Sequence, residues 1–378
     1  MRPTKAQEAA LTTWLAQCCD LYNGALHERR DAWRKLGKGV TLYDQFKSLT
    51  EVRRTVPGWD EVPCEVARSA LRRLDLAMKA FFRRCKAGET PGFPRFRSKR
   101  RYDSFGFGTN PVVIQGDRVV LPKLGYVKFH LYRPLKGKIL YAVVRREAGK
   151  WVVVFQCDIG EAPAKMPIES IPEERVAGVD LGLTTLATLS QGKPIENPRH
   201  GAKAAEVLAR RQRALARKRK GSKSRHRALV QVQEAYAHVA NQRLDTARKA
   251  AVRLCRDFDL ICFEDLNIRG LAGGMLAKPI HDAAWRLLIH CTSCKAESAG
   301  KHVVEKDARR SSIDCSGCGA RVEKTLRDRT HSCPVCGLVL DRDLNAALNM
   351  KNRALGRSAV RPPATPLVTA EGSTSAGP

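Results

Sequence analysis

Two short cysteine motifs and three widely separated acids are the residues of this chain whose types and spacing can do chemistry. CSGCG at residues 315–319 and CPVCG at 333–337 each set two thiols three positions apart, and 14 residues separate the two pairs. Four thiolates so arranged close into a tetrahedron around one structural Zn²⁺, with Cys315, Cys318, Cys333 and Cys336 as ligands and Gly319 and Gly337 permitting the tight turns. Cys291 and Cys294 repeat the local spacing, but WRLLIHCTSCKAESAG reads as a helix and offers no partner pair. The other cysteines, among them Cys18, Cys19, Cys64 and Cys255, read as small buried apolar residues.

The acids pose a different question. Asp180 closes a short apolar run inside GVDLGLTTLATLS, residues 178–190, where an uncompensated charge is costly. Glu264, with Asp265 beside it, ends the apolar run LICF, and Asp343, two residues after Asp341, opens the helical stretch DLNAALNM. Each has a plain structural alternative: a strand end that meets solvent, or a helix cap. Brought together at the open ends of adjacent strands, three such carboxylates form a hard-oxygen site for Mg²⁺. Two ions about 3.5–4 Å apart activate a water and stabilise the leaving oxygen in phosphodiester hydrolysis. Spacing alone does not choose between Asp341 and Asp343, or between Glu264 and Asp265.

The elements that must carry these residues can be read in outline. Val66, Ala70, Leu74, Met78, Phe81 and Cys85 recur at helical spacing. GETPGFPRFRSKRRYDSF, residues 88–105, breaks that helix and crowds basic residues around aromatic ones, a boundary suited to touching phosphates. From 111 to 158 the pattern turns to β: VVIQ and RVVL flank GD, and ILYAVVRR and WVVVFQCD flank EAGK, as in hairpins. A Pro-rich linker at 161–174 precedes the strand that ends at Asp180. Leu229, Val232, Tyr236, Val239, Ala247, Ala250 and Leu254 predict one long helix leading back to DLICFED. The stretch after Gly356, rich in Pro, Ser, Thr and Ala, reads as a disordered tail.

Composition limits the partners. The 378 residues are 43% hydrophobic, enough for two or three packed domains. No run approaches the roughly 18 apolar residues of a membrane span, and MRPTKAQEAA lacks the core of a signal peptide, so a cytosolic location and no membrane partner are expected. Thirteen cysteines there point to metal rather than disulfides. A net charge of +30 calls for a polyanion, with nucleic acid the default. Between Arg199 and Arg227 stand twelve Lys or Arg and one acid, Glu206. Arg217, Lys218, Arg219 and Lys220 lie at the centre of that run and are the candidate phosphate contacts.

In that order, GVDLGLTTLATLS, NQRLDTARKAAVRL, ICFEDLNIRGL, CSGCG, CPVCG and DRDLNAALNM, with FPRFRSK before them, make the chain resemble the TnpB (OrfB) proteins of insertion sequences, which are related to the compact type V CRISPR effectors. The resemblance covers nearly the whole chain. It implies an α/β multidomain protein: a helical recognition lobe over 1–92 with a remnant of the wedge start, a β-rich, barrel-like wedge over 93–172, and an RNase H-like RuvC nuclease domain over 173–356. A zinc ribbon is inserted at 310–340, and 357–378 form the tail. It assigns the catalytic, Mg²⁺-binding acids to Asp180, Glu264 and Asp343, so selecting Asp343 over Asp341 and Glu264 over Asp265. It also implies a guide RNA from the transposon end, double-stranded DNA as target beside a short protein-read motif, and a monomeric ribonucleoprotein in the bacterial or archaeal cytosol, associated with the nucleoid.

Two departures stand out. PTKAQ begins at Pro3, where the family usually carries a preceding strand, so the first wedge strand is expected to be missing or short and the barrel open. Ser311, Ser312, Ile313 and Asp314 replace the family's usual Thr-Ser-Gln lead into the first knuckle. The expected function is Mg²⁺-dependent, RNA-guided DNA cleavage. Its rivals are a nuclease-inactive RNA-guided DNA-binding repressor, against which the intact acid trio argues, and a guide-free zinc-ribbon protein binding RNA or DNA, which leaves the three acids without a role.

Overall fold

A computed structural model describes residues 1–108, 112–325 and 327–357. The expected disordered tail, apart from Arg357, lies outside the described residues. Contacts divide the chain into two compact units, Met1–Gly160 and a second from Glu161 onward.

The first unit opens with three helices, α1 (Lys5–Leu36), α2 (Leu42–Thr55) and α3 (Cys64–Lys86). Thr4 and Gln7 form a reciprocal capping box that starts α1, and Gly37 ends it in the left-handed conformation. A second box, Thr41 with Asp44, starts α2. Six short strands follow: β1 (Ser104–Phe107), β2 (Val113–Gln115), β3 (Arg118–Leu121), β4 (Gly125–Lys128), β5 (Lys138–Glu147) and β6 (Lys150–Asp158). They build two antiparallel sheets, β1-β5-β6 and β2-β3-β4, and both hairpins expected from the sequence are present. Arg2 makes a single bridge to Lys128 at the edge of β4, a one-residue strand start. Leu11, Leu15, Tyr22, Leu71, Leu74, Phe105 and Phe107 share one core.

The second unit is organised by β7 (Val176–Leu181), β8 (Thr185–Leu189) and β9 (Pro194–Glu196), then the helical hairpin α4 (His200–Ala216) and α5 (Lys223–Asp257), then β10 (Leu260–Asp265). The short helices α6 (Ile268–Leu271) and α7 (Ala277–Ala283) lead to α8 (Trp285–Glu297) and β11 (His302–Asp307). A two-stranded ribbon, β12 (Thr330–Ser332) with β13 (Val339–Asp341), precedes α9 (Arg342–Ala354). The sheet runs β11-β10-β7-β8-β9, with β10 parallel to both β7 and β11, and β7-β8-β9 antiparallel. The predicted long helix is α5, and it does return the chain to β10.

Alternation along the two central strands sorts their faces. Ala177, Val179 and Leu181 of β7, with Ile261 and Phe263 of β10, pack into one core with Ala247 and Leu254 of α5 and Trp285 and Leu288 of α8. Gly178 and Asp180 therefore face the opposite side, as do Cys262 and Glu264. There α9 lies against β7. Any Cβ at Gly178 would run into the Ala347 carbonyl of α9, so glycine is what lets the helix approach the strand.

Candidate active site and metal centre

The three predicted acids come together on the α9 face of the sheet. Val179 pairs with Phe263 in the parallel β7–β10 ladder, so Asp180 and Glu264 occupy the next step on neighbouring strands, at the carboxyl ends. The charges of Glu264 and Asp343 both act on Asp180, so the three carboxyls lie within electrostatic reach of one another. Asp343 sits in the first turn of α9. Its neighbour Asp341 is the helix cap, accepting from the amides of Asp343 at 2.8 Å and Leu344 at 3.1 Å. That division leaves the Asp343 carboxylate out of the cap.

Burial is the first cause that raises each of the three acids, and neighbouring carboxylate charges add to it. For Asp180 burial is the main cause, followed by the charges of Glu264 and Asp343, partly offset by Arg342. Burial also dominates for Glu264, opposed by the Ser311 hydroxyl and the charge of Arg353. Asp343 is raised by burial and by Asp341. The nearby guanidinium groups are largely engaged elsewhere. Arg342 donates to the carbonyls of Thr325 at 3.2 Å and Asp328 at 3.5 Å, and Arg353 to those of Asp307 and Arg309. Arg329 lies 3.9 Å from Asp343, with its side chain 64% exposed. Among the described residues no ion pair reaches Asp180 or Glu264. Hard oxygen donors left short of positive charge suit divalent cations.

Glu264 is held from the ribbon side. The Ser311 hydroxyl donates to its Oε1 at 2.6 Å, in a buried contact spanning 47 positions of sequence. Ser311 is fixed in turn: its carbonyl accepts from Asn345 at 3.3 Å and Asn349 at 2.7 Å, and both amides also reach the Asp314 carbonyl. Asn352 takes the Ser316 carbonyl at 3.1 Å. Asn345, Asn349 and Asn352 recur at four and three positions, on one face of α9. Sequence reasoning missed this bracket. The available signal was three amide side chains at helical spacing, since buried polar groups require partners.

The cysteine pairs behave as expected. Cys315 and Cys336 stand 3.6 Å apart through sulfur, as do Cys318 and Cys333. All four sulfurs lie within 4.8 Å of one another, the group among the described residues with that property. Zinc–sulfur bonds of about 2.3 Å set tetrahedral sulfurs about 3.8 Å apart, so the quartet fits one ion. Gly319 and Gly337, both at φ 74°, close matching turns onto Cys315 and Cys333. Burial pushes the Cys318 thiol up to about 12, whereas amides of Cys336 and Val335 overcome burial and bring Cys333 down to about 7. Cys291 and Cys294 lie on α8, outside this group.

Arg217, Lys218, Arg219 and Lys220 form the exposed turn between α4 and α5. The Arg225 guanidinium braces that turn by donating to the carbonyls of Leu215 at 3.0 Å and Lys218 at 3.1 Å. Among the described residues no acid pairs with the four cations.

Residues 162–274 match the family OrfB_IS605, described as "Probable transposase", and residues 285–350 match the "Cas12f1-like, TNB domain". A Streptomyces pristinaespiralis protein named "Putative RNA-guided DNA endonuclease" is 32% identical, covering 94% of this chain and 88% of its own. A relative of the same designation from Escherichia coli (strain K12) is 27% identical over 93% of this chain and 90% of its own. The solved structure of a Cas12f1-sgRNA-target DNA complex shares the fold, with a TM-score of 0.58 at 14% identity, covering 90% of this chain and 82% of that one. The sequence likeness over nearly its whole length places this chain in the TnpB (OrfB) family of transposon-encoded RNA-guided endonucleases.

Proposed function

We propose that this chain cuts target DNA, directed by a guide RNA, by hydrolysing phosphodiester bonds at Asp180, Glu264 and Asp343. The observation that carries the reading is the convergence of three carboxylates, all raised and none neutralised by a close cation of the chain except Asp343 at its rim. Mg²⁺ bound there, in a pair of ions, supplies an activated water and stabilisation of the leaving oxygen. The chain's own part is to hold the acids. Ser311 fixes Glu264, the Asp341 cap frees Asp343, and the zinc ribbon anchors the entry to α9. Arg329, exposed beside Asp343, is the guanidinium best placed to meet a scissile phosphate.

The sheet order supports an RNase H-like RuvC domain: an antiparallel triplet, β7 to β9, continued by the parallel strands β10 and β11. In the first unit α1 to α3 serve as the recognition lobe and the two small sheets as the wedge. Partners follow from the relatives' names and from the RNA and DNA in the solved neighbour: a guide RNA from the transposon end and double-stranded target DNA. Pairing with RNA supplies specificity, while basic side chains hold the backbone. The working form is a monomeric cytosolic ribonucleoprotein. Among the described residues no helix is long and apolar enough to cross a membrane.

Sequencing RNA that co-purifies with the protein, then supplying matched DNA and Mg²⁺, tests the reading. A defined transposon-end RNA and cleavage lost in Asp180→Ala are expected, whereas cleavage without RNA, or by Asp180→Ala at the full rate, contradicts it. Replacing Arg217, Lys218, Arg219 and Lys220 together by Gln is expected to flatten the salt dependence of RNA binding by up to about 3 log units per log salt. An unchanged slope would return these four to a solvated turn.

A further inference from the structure

The segment joining α3 to β1 is irregular, exposed and firmly held, a combination its packing does not explain. Residues 85–101 are exposed except Pro94. Asn23 of α1 nevertheless clamps Arg97 twice, accepting from its amide at 2.8 Å and donating to its carbonyl at 2.8 Å. Arg84 of α3 donates to the Gly92 carbonyl at 3.1 Å, and Pro91 and Pro94 limit the backbone further.

What this scaffold displays is a set of rings. Phe81 meets Phe82 at 5.1 Å and Phe93 at 5.2 Å between centroids, both edge to face. Phe96 lies beneath the Arg30 guanidinium at 5.1 Å. Phe82, Phe93 and Phe96 remain 54%, 44% and 49% exposed, so each forgoes much of the gain that burial would give. The surrounding charge is one-sided: from Arg83 to Arg101 there are eight Lys or Arg and one acid, Glu89. The acid contact found there is Lys99 with Asp20, at 2.8 Å.

We infer that Phe82, Phe93 and Phe96 form a stacking platform for unpaired nucleotides, with the flanking arginines and lysines taking the phosphates. Exposed aromatic faces set among cations accept bases of any sequence, because every base offers a π face. Charge complementarity selects the occupant: a neutral apolar partner would leave the seven cations other than Lys99 without an anion, and a rigid duplex would not present base faces to the rings. The Arg30 guanidinium over Phe96 shows that this ring already accepts a cationic planar group at its face. The inference rests on the nucleic-acid-binding part of the reading above and not on its nuclease part.

The test uses the full chain, free of guide RNA, with single strands of about 12 nucleotides carrying 2-aminopurine, whose emission falls when the base stacks. DNA and RNA strands of one sequence and the corresponding duplex are compared. Phe93→Leu and Phe96→Leu, which keep apolar bulk but lose the ring, are expected each to weaken single-strand binding about 5-fold or more and to abolish the quenching. Phe93→Trp should keep both, the salt slope should not change, and duplex binding should be spared. The tighter of the two strands identifies which one the platform receives. Equal quenching in the Leu variants, a matching loss for duplex, or equal competition by an acidic peptide would overturn the inference. Asp180→Ala retaining the quenching while losing cleavage separates this result from that of the nuclease proposal.

Discussion

The tetracysteine knot and the acid trio both border α9 but differ in kind: one closes on itself, the other stays open. The four sulfurs lie within 4.8 Å of each other with their turns already formed. The three carboxylates are not drawn into so tight a group among the described residues, and their raised pKa values record burial first and neighbouring carboxylate charge second. A closed set of soft ligands suits one structural ion; an open set of hard oxygen ligands suits divalent cations whose shells other oxygen donors complete. Ser311 joins them, with its hydroxyl on Glu264 and its carbonyl held by the two asparagines that also hold the Asp314 carbonyl beside Cys315.

Substitution should separate the two sites most sharply. Glu264→Ala or Asp343→Ala is expected to cost at least about 100-fold in cleavage rate while leaving zinc content, melting temperature and target binding near wild type. Cys315→Ser or Cys336→Ser should release the zinc and lower melting temperature or solubility, because metal binding contributes to folding, whereas Cys291→Ser should do neither. Zinc loss in an acid variant would break the contrast.

A smaller effect is expected where the sites meet. Ser311→Ala removes a hydrogen bond to a charged group and should slow cleavage about 10-fold with one zinc retained, and Ser311→Thr, which keeps the hydroxyl, should restore most of the rate. Equal rates for the Ala variant would show that Glu264 needs no support from the ribbon.

The smallest effect concerns pH and metal-free stability. The native pKa of Asp180 lies above its unfolded value near 3.9, so the folded state binds the extra proton. Stability from this group is therefore greatest below that unfolded value and declines as pH rises toward the raised native one. Thermal melts of metal-free protein should show Asp180→Asn more stable than wild type at neutral pH by a few degrees, with the difference shrinking as pH falls. A less stable Asn variant at neutral pH would contradict a buried charge at Asp180 that costs stability.

Much of this was legible because it is local. The spacing inside CSGCG and CPVCG determines two turns, and the period of Leu229 to Leu254 determines α5, without knowledge of distant residues. Strand ends at Asp180 and Glu264 were readable from apolar runs. Their adjacency was not, since it depends on β10 pairing with β7 across more than eighty residues. The choice between Asp341 and Asp343 likewise needed either a family resemblance or the observed cap, because both types suit a helix start. Ser311 was read only as a departure from the family's lead sequence, and its bond to Glu264 joins positions that no local pattern connects. The edge strands β1 and β4 were not singled out, whereas β2 and β3, no longer than these, were read because GD between two apolar runs marks a hairpin turn.

The most direct measurement titrates Mn²⁺, followed by its spin resonance, into the guide-bound protein with matched DNA and records cleavage in the same sample. For wild type the account predicts about two bound ions and cleavage that rises with their occupancy. In Asp180→Ala, Glu264→Ala and Asp343→Ala it predicts weakened Mn²⁺ binding and lost cleavage, with zinc remaining at about one per chain. Unchanged Mn²⁺ binding in all three variants, or full cleavage by any of them, would contradict the assignment of the acid trio as the catalytic metal site.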